Sequence, residues 1–221
     1  MKKAFTPLAI VTAAMFAYAP VAIVGAPYES TMLLVQKIFF FHFSTWMALT
    51  AAVLVCGVAS AVYLFKGDPT ADRYAVAGAE LVVIFGAFGL VSGSIWGRKA
   101  WGVWWQWEPR LTMALLLELV FIGYLLIRRY GGPGSEKLSA AMGIFGAATA
   151  PFVYKSVDWW RTIHPQTTVM KTLGARSPGM WNVVWFCTAA FLLLFILLLT
   201  LRVQLEERRA ELDRLYLDAE G

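Results

Sequence analysis

Apolar runs about twenty residues long alternate with short polar segments along this chain. They cover residues 7–26, 42–65, 74–96, 111–127, 138–154 and 181–201. A helix crossing the hydrocarbon of a bilayer needs about 20 apolar residues. These runs are too long and too uniformly apolar for barrel strands, so helices are the spanning form they predict. The expected fold is an all-α integral membrane protein. It is a six-transmembrane-helix bundle forming one domain over 1–221, with a cytoplasmic tail at 202–221. The first run follows Lys2 and Lys3 and contains Ala17-Tyr18-Ala19, the outline of a signal peptide. Pro20 is unfavourable directly after a cut, and apolar character continues to Val24. A retained first helix is therefore expected.

Composition supports the pattern. Hydrophobic residues make up 59% of the 221 and charged ones 15%, with a mean hydropathy of +0.63. A soluble domain carries about 25% charged residues, and six spans leave no room for one. With both termini inside, the inner segments hold Lys2, Lys3, Lys66, Arg73, Arg128, Arg129, Lys137, Arg202, Arg208, Arg209 and Arg214. The outer ones hold Lys37, Arg98, Lys99, Arg110, Lys155, Arg161, Lys171 and Arg176. The excess favours this orientation weakly. Only Glu29, Glu108 and Asp158 offset the outer cations. Two readings fit that imbalance, contact with lipid phosphates or an anionic ligand on the outer face. Tryptophan favours the second. All ten, Trp46, Trp96, Trp101, Trp104, Trp105, Trp107, Trp159, Trp160, Trp181 and Trp185, fall on the outer side. An aromatic belt would decorate both interfaces; an aromatic platform on one face accounts for the asymmetry.

Within that set, Trp101, Trp104, Trp105 and Glu108 are spaced i, i+3, i+4, i+7. The spacing predicts a short surface helix with these residues on one face, breaking near residues 107–108. Pro109 suits the first turn of the next span. Arg110 then sits at the membrane surface, where a guanidinium can hold a carboxylate bidentately or pair with Glu108.

The chain has two histidines, His42 at the outer end of the second span and His164 in the outer loop before the sixth. Neutral imidazole is a good iron ligand, and a haem needs axial ligands, flat apolar surface and cations for its propionates. Two histidines, the tryptophan platform and the basic outer loops supply all three. Zinc or copper would want three or four ligands and would give the platform no purpose. Cys56 and Cys187 lie at different depths, which argues against a disulfide. There is no C-x-x-C-H haem-attachment motif, no C-x-x-C and no Walker pattern.

The segment "GSIWGRKAWGVWWQWEPRLT" resembles the tryptophan-rich WWD motif of haem-handling proteins in cytochrome c biogenesis. "HFSTWMAL" and "WWRTIHP" are similar to the two flanking histidine segments of its CcmC branch. The likeness runs from about Leu33 to Arg202. Glu108 stands where the motif has aspartate, and Pro109 follows it. The resemblance implies haem b bound transiently on the periplasmic face of a bacterial inner membrane. His42 and His164 would be axial ligands, and Trp96, Trp101, Trp104, Trp105 and Trp107 the platform. Glu108 would be the motif acid, with Arg110 and Arg161 at the propionates. It further implies delivery of haem to a periplasmic haem chaperone, with ATP-binding-cassette subunits and a small single-span subunit as partners. Membrane lipid is expected as a neighbour and nucleic acid is not. No catalytic constellation is visible, and the haem lyases of the wider group carry further spans that this chain lacks.

Two other functions remain open at this level. A b-type cytochrome drawing electrons from quinone would use two histidines, but within the bundle. A haem transporter would use intramembrane acids, for which Glu80 and Glu118 are the candidates, unless they are protonated packing groups. The tail carries Leu201, Leu205, Leu212 and Leu215 near heptad spacing, with Glu206–Arg209 and Glu211–Arg214 pairs. That pattern suits a solvated helix end or a docking strip.

Overall fold

A computed structural model describes residues 2–28, 33–164 and 178–220. Glu29, Lys171 and Arg176 lie outside the described residues. All regular elements among the described residues are helical. They are α1 (Lys2–Gly25), a 3-10 turn (Leu34–Gln36) leading into α2 (Lys37–Lys66), α3 (Pro69–Trp101), α4 (Pro109–Tyr130), α5 (Ser135–Trp159) and α6 (Pro178–Glu220).

Among the described residues five stretches are long and apolar enough to cross a membrane: Ala4–Gly25, Leu34–Lys66, Pro69–Trp101, Pro109–Tyr130 and Gly179–Tyr216. The fifth run, expected at 138–154, forms α5, which is less apolar than these. It is built from small residues and includes Pro151. Its glycines face other helices, Gly143 meeting Ser60 and Cys56 of α2 and Gly146 meeting Phe121 of α4. Every helix is longer than its apolar run. The ends are set by caps rather than by hydropathy. Gly67, at φ 69°, closes α2 with its N–H on the Tyr63 carbonyl. Asp68 then accepts from the Thr70 N–H at 2.8 Å, ahead of Pro69, to start α3.

The expected surface helix over the tryptophan segment is not formed. Helix α3 runs on through Trp101 and stops at Gly102, whose φ of 78° is left-handed. Residues 103–108 have no helical structure. At their far end Pro109 restricts Glu108 to extended backbone, φ −97° and ψ 159°. The glycine stop leaves Trp101 in α3, and the six residues between it and the proline start lie outside both helices, so the i, i+3, i+4, i+7 spacing never becomes a face.

Helix α2 is central, packing on α3, α5 and α6, while α4 bridges α3 and α5 and α1 lies outside against α6. One core joins Leu49, Val53 and Cys56 to Leu81, Val82, Phe85, Leu117 and Phe121. A smaller one joins Ile23, Phe40, Val184 and Cys187. Both cysteines are free and buried. At the end bearing the α2–α3 turn, ion pairs link the helices, Asp72 with Arg128 and Glu80 with Arg202, and Arg202 also pairs with Glu206 within α6 at 3.2 Å. Glu80 is thus a structural partner. Glu118 is buried, reaching the Gly86 backbone with Oε2 unpartnered.

The α2–α3 contact is close enough to need a missing side chain. A Cβ on Gly78 would stand 2.9 Å from the Cys56 amide nitrogen and 3.1 Å from its Cα. Backbone cannot yield as a side chain can. Gly78→Ala is expected to destabilise the bundle by about 1–3 kcal/mol. Thermal unfolding in detergent checks this, with Gly25→Ala, which meets nothing within 4 Å, as the silent control.

Candidate functional site

His42 sits in the second turn of α2, packed against α3 across the contact just described. A Cβ on Gly93 would lie 3.1 Å from its Cε1, and one on Gly89 would lie 2.9 Å from Trp46. Two hydrogen bonds fix the imidazole. Trp46 Nε1–H donates to Nε2 at 3.2 Å, so Nε2 carries a lone pair. Nδ1 is therefore the protonated nitrogen, and it donates to Ser92 Oγ at 2.9 Å. Ser92 Oγ–H donates in turn to the Gly89 carbonyl at 3.2 Å.

His164 comes from the other side, on the segment after α5. It is held by Glu108, which is 8% exposed. As N-cap of α4, Glu108 accepts from the Leu111 N–H at 3.1 Å through Oε1. Its Oε2 accepts from the Thr162 hydroxyl. Thr162 Oγ1 accepts from the His164 backbone N–H at 3.0 Å. The imidazole Nδ1 stands 2.7 Å from Glu108 Oε1, within hydrogen-bond distance though off the in-line direction. Burial, then the nearby Arg110 guanidinium, pushes the His164 pKa down to about 4. Burial pushes Glu108 upward against the opposing influence of the Leu111 N–H and Arg110.

Aromatic rings connect the two histidines. His42 and Trp96 have centroids 5.5 Å apart, Trp96 stacks on Trp101 at 6.3 Å and 21°, and Trp101 lies 5.3 Å from His164. The two expected ligands share one cluster but do not face each other, because two indoles stand between them. The other platform residues separate. Trp105 is half-buried with Trp107 edge-on at 5.5 Å, while Trp104 and Trp107 are 60% and 76% exposed. Arg110 is half-buried in the field of Glu108, Tyr154 and Asp158, and Arg161 is exposed. Three contributors were not singled out from the sequence: Trp46 as a hydrogen-bond donor, Ser92 and Thr162. Ser92 precedes Trp96 by four residues, one turn on the same helix face. That signal was available.

Haem can be tested against this arrangement. The donor chemistry fits, with two neutral imidazoles, flat indoles and a guanidinium in one cluster. The space beside His164 does not. The gap lined by Gly93, Gly97, Trp101, Trp104, Trp105 and His164 holds about 10 Å³, at the threshold for one water. Admitting a porphyrin requires the 102–107 stretch and the His164 segment to move apart.

The depressed His164 value carries a sign. Below its ordinary value of 6.5 the unfolded chain takes up a proton that the folded chain refuses until about pH 4. Stability is therefore complete above pH 6.5 and falls as the pH drops through that window. The expected outcome is a melting temperature that declines between those values, with a shallower decline in His164→Gln.

The sequence profile described as Heme exporter protein C (CcmC) matches residues 1–217. A Bradyrhizobium diazoefficiens protein named Heme exporter protein C is 34% identical, over 73% of this chain and 63% of its own length. Proteins of the same name from Paracoccus denitrificans and Escherichia coli K12 are 30% and 28% identical. Those matches cover 81% and 77% of this chain, and 76% and 71% of the relatives. The chain thus spans less than two thirds of the Bradyrhizobium relative.

Proposed function

The chain belongs to the Heme exporter protein C family, and from that premise we propose that it holds haem on the periplasmic face of a bacterial inner membrane and delivers it to a haem chaperone during cytochrome c maturation. One observation carries the reading. Both histidines of the chain enter a single cluster of tryptophans at one end of the bundle; His42 Nε2 is the unprotonated nitrogen, met by the Trp46 N–H until iron replaces it, and His164 Nδ1 faces Glu108, which leaves Nε2 for iron. His42 and His164 serve as the axial ligands. Trp96 and Trp101 supply the nearest flat surface, with Trp105 behind it and exposed Trp104 and Trp107 at the rim. Arg110 is the better-placed propionate cation, and Arg161 is an outer one.

Haem b is cargo here rather than a resident cofactor, and the chain has no enzymatic role. A donor must hold haem and let it go. A ligand on an irregular segment suits release, since such segments move more readily than packed helices. The Trp46 N–H that meets His42 Nε2 gives the imidazole a partner to return to. The interior favours presentation over passage. Between the two ends Leu49, Val53, Leu81, Val82, Phe85 and Phe121 close the bundle, and Glu118 is an isolated acid among them.

Six spans with both termini cytoplasmic is the topology that goes with this role. Helix α5, at 25 residues, is about 37 Å long at ~1.5 Å per residue and packs between α2 and α4. The basic Lys66, Arg73, Arg128, Arg129 and Arg202 gather at the end opposite the histidines, the cytoplasmic end by the positive-inside rule. The ATP-binding-cassette subunits and the small single-span subunit complete the proposed assembly.

The visible spectrum of the purified protein tests the reading, as isolated and after haem addition, beside His42→Ala and His164→Ala. A low-spin haem in the wild type that either substitution converts or removes is the expected result. Haem bound identically in all three proteins, or in none, overturns the ligand assignment.

A further inference from the structure

Glu108 occupies the motif-acid position, whose expected roles were pairing with Arg110 or contact with propionates. The geometry gives it a different role. Two donors already sit on its carboxylate, the Leu111 N–H at Oε1 (3.1 Å) and the Thr162 hydroxyl at Oε2, and His164 Nδ1 stands 2.7 Å from Oε1, off the in-line direction. The direction of the chain is fixed by the backbone. The His164 N–H donates to Thr162 Oγ1 at 3.0 Å, so the hydroxyl proton is free to point at Glu108. Burial pushes the Glu108 pKa upward, while the amide and the hydroxyl that it accepts from favour its ionised, acceptor-only form. Nδ1 facing it must then be the nitrogen that carries hydrogen, and a neutral ring has its lone pair on Nε2.

We propose that Glu108, with Thr162, is a positioning residue for His164: it holds the imidazole in the Nδ1–H tautomer and aims Nε2 at the iron. This rests on the reading of His164 as a haem ligand and adds how that ligand is set. The carboxylate does three things from one place. It caps α4, it ties the segment after α5 to the start of α4 across 54 residues, and it orients the ring. Ligating histidines commonly donate their second ring N–H to a carboxylate, which raises the basicity of the nitrogen at the metal. Glutamate in place of the motif's aspartate adds a methylene of reach from the helix cap to the imidazole.

The chain's two histidines make the test direct. Haem-free protein labelled with ¹⁵N only in histidine gives two imidazole spin systems, assigned with His164→Ala. At pH 7 the expected spectrum shows His164 as a neutral ring protonated at Nδ1. Glu108→Leu should shift it towards the Nε2–H form that free histidine prefers, Thr162→Val should shift it partway, and Glu108→Asp should restore it. The His42 signals, held by Trp46 on α2 and Ser92 on α3, should stay put and report an intact bundle. Haem titration of the same proteins should show affinity lower by about 10–100-fold in Glu108→Leu and recovered in Glu108→Asp. In the loaded protein, Glu108→Gln should raise the haem reduction potential, since a neutral partner stabilises ferric iron less.

A wild-type His164 protonated at Nε2, or a tautomer and potential indifferent to residue 108 while His42 is unchanged, overturns the proposal. Failure of the haem reading looks different: the tautomer follows residue 108 as expected, yet no variant and no wild type takes up haem.

Discussion

The close approach of α3 to α2 is the contact on which the rest depends. Helices in lipid gain nothing from expelling water from one another, so their association rests on van der Waals packing between small residues and on interhelical hydrogen bonds. Gly78 lets the α3 backbone meet that of α2 at Cys56. Further along the same helix, Gly89 and Gly93 receive Trp46 and His42, and Ser92 beside them bonds the imidazole. The contact that builds the bundle therefore also poses the first histidine. A Cβ at Gly78, Gly89 or Gly93 would press on the α2 backbone, on Trp46 or on the His42 imidazole.

The two histidines are held by unlike means. His42 lies between two packed helices with both ring nitrogens engaged. His164 lies on an irregular segment attached through one carboxylate and one hydroxyl. Few contacts and an irregular backbone are the properties of regions that open at low free-energy cost. One imidazole is thus fixed between helices and the other is held by a segment that can open, which is the asymmetry the proposed handover of haem would use. The stacked pair Trp96 and Trp101 links the two imidazoles by ring contacts.

At the opposite end the helices are joined by charge. Asp72 with Arg128 ties α3 to α4, and Glu80 with Arg202 ties α3 to α6. All four side chains are partly exposed, so their strength is set by geometry and screening rather than by burial. Helix α6 continues past this junction, its 43 residues amounting to about 64 Å at ~1.5 Å per residue, roughly twice a bilayer's hydrocarbon thickness. Leu205, Leu212 and Leu215 are exposed on the projecting part.

Hydropathy alone determined that the chain is helical and membrane-borne, because twenty apolar residues in a row permit little else. It also brought both histidines and all ten tryptophans to one end, since successive spans must alternate direction. The WWD-like segment and its histidine flanks indicated the family. What the sequence could not decide was set by contacts between distant residues or by caps that override periodicity. The Trp101–Trp104–Trp105–Glu108 spacing is helical, yet Gly102 and Pro109 stop and start the chain around it. Helix α5 is less apolar than its neighbours because its small residues face protein rather than lipid. Glu80 finds Arg202 across 122 residues, and Glu108 finds Thr162 and His164 only when the end of α5 packs beside the start of α4. Periodicity is a local property of a helix, whereas the partner of a buried polar group is chosen by how helices pack. For that reason the end of the molecule that carries the site was legible in the sequence, and the hydrogen bonds that set each histidine were decided by the tertiary structure.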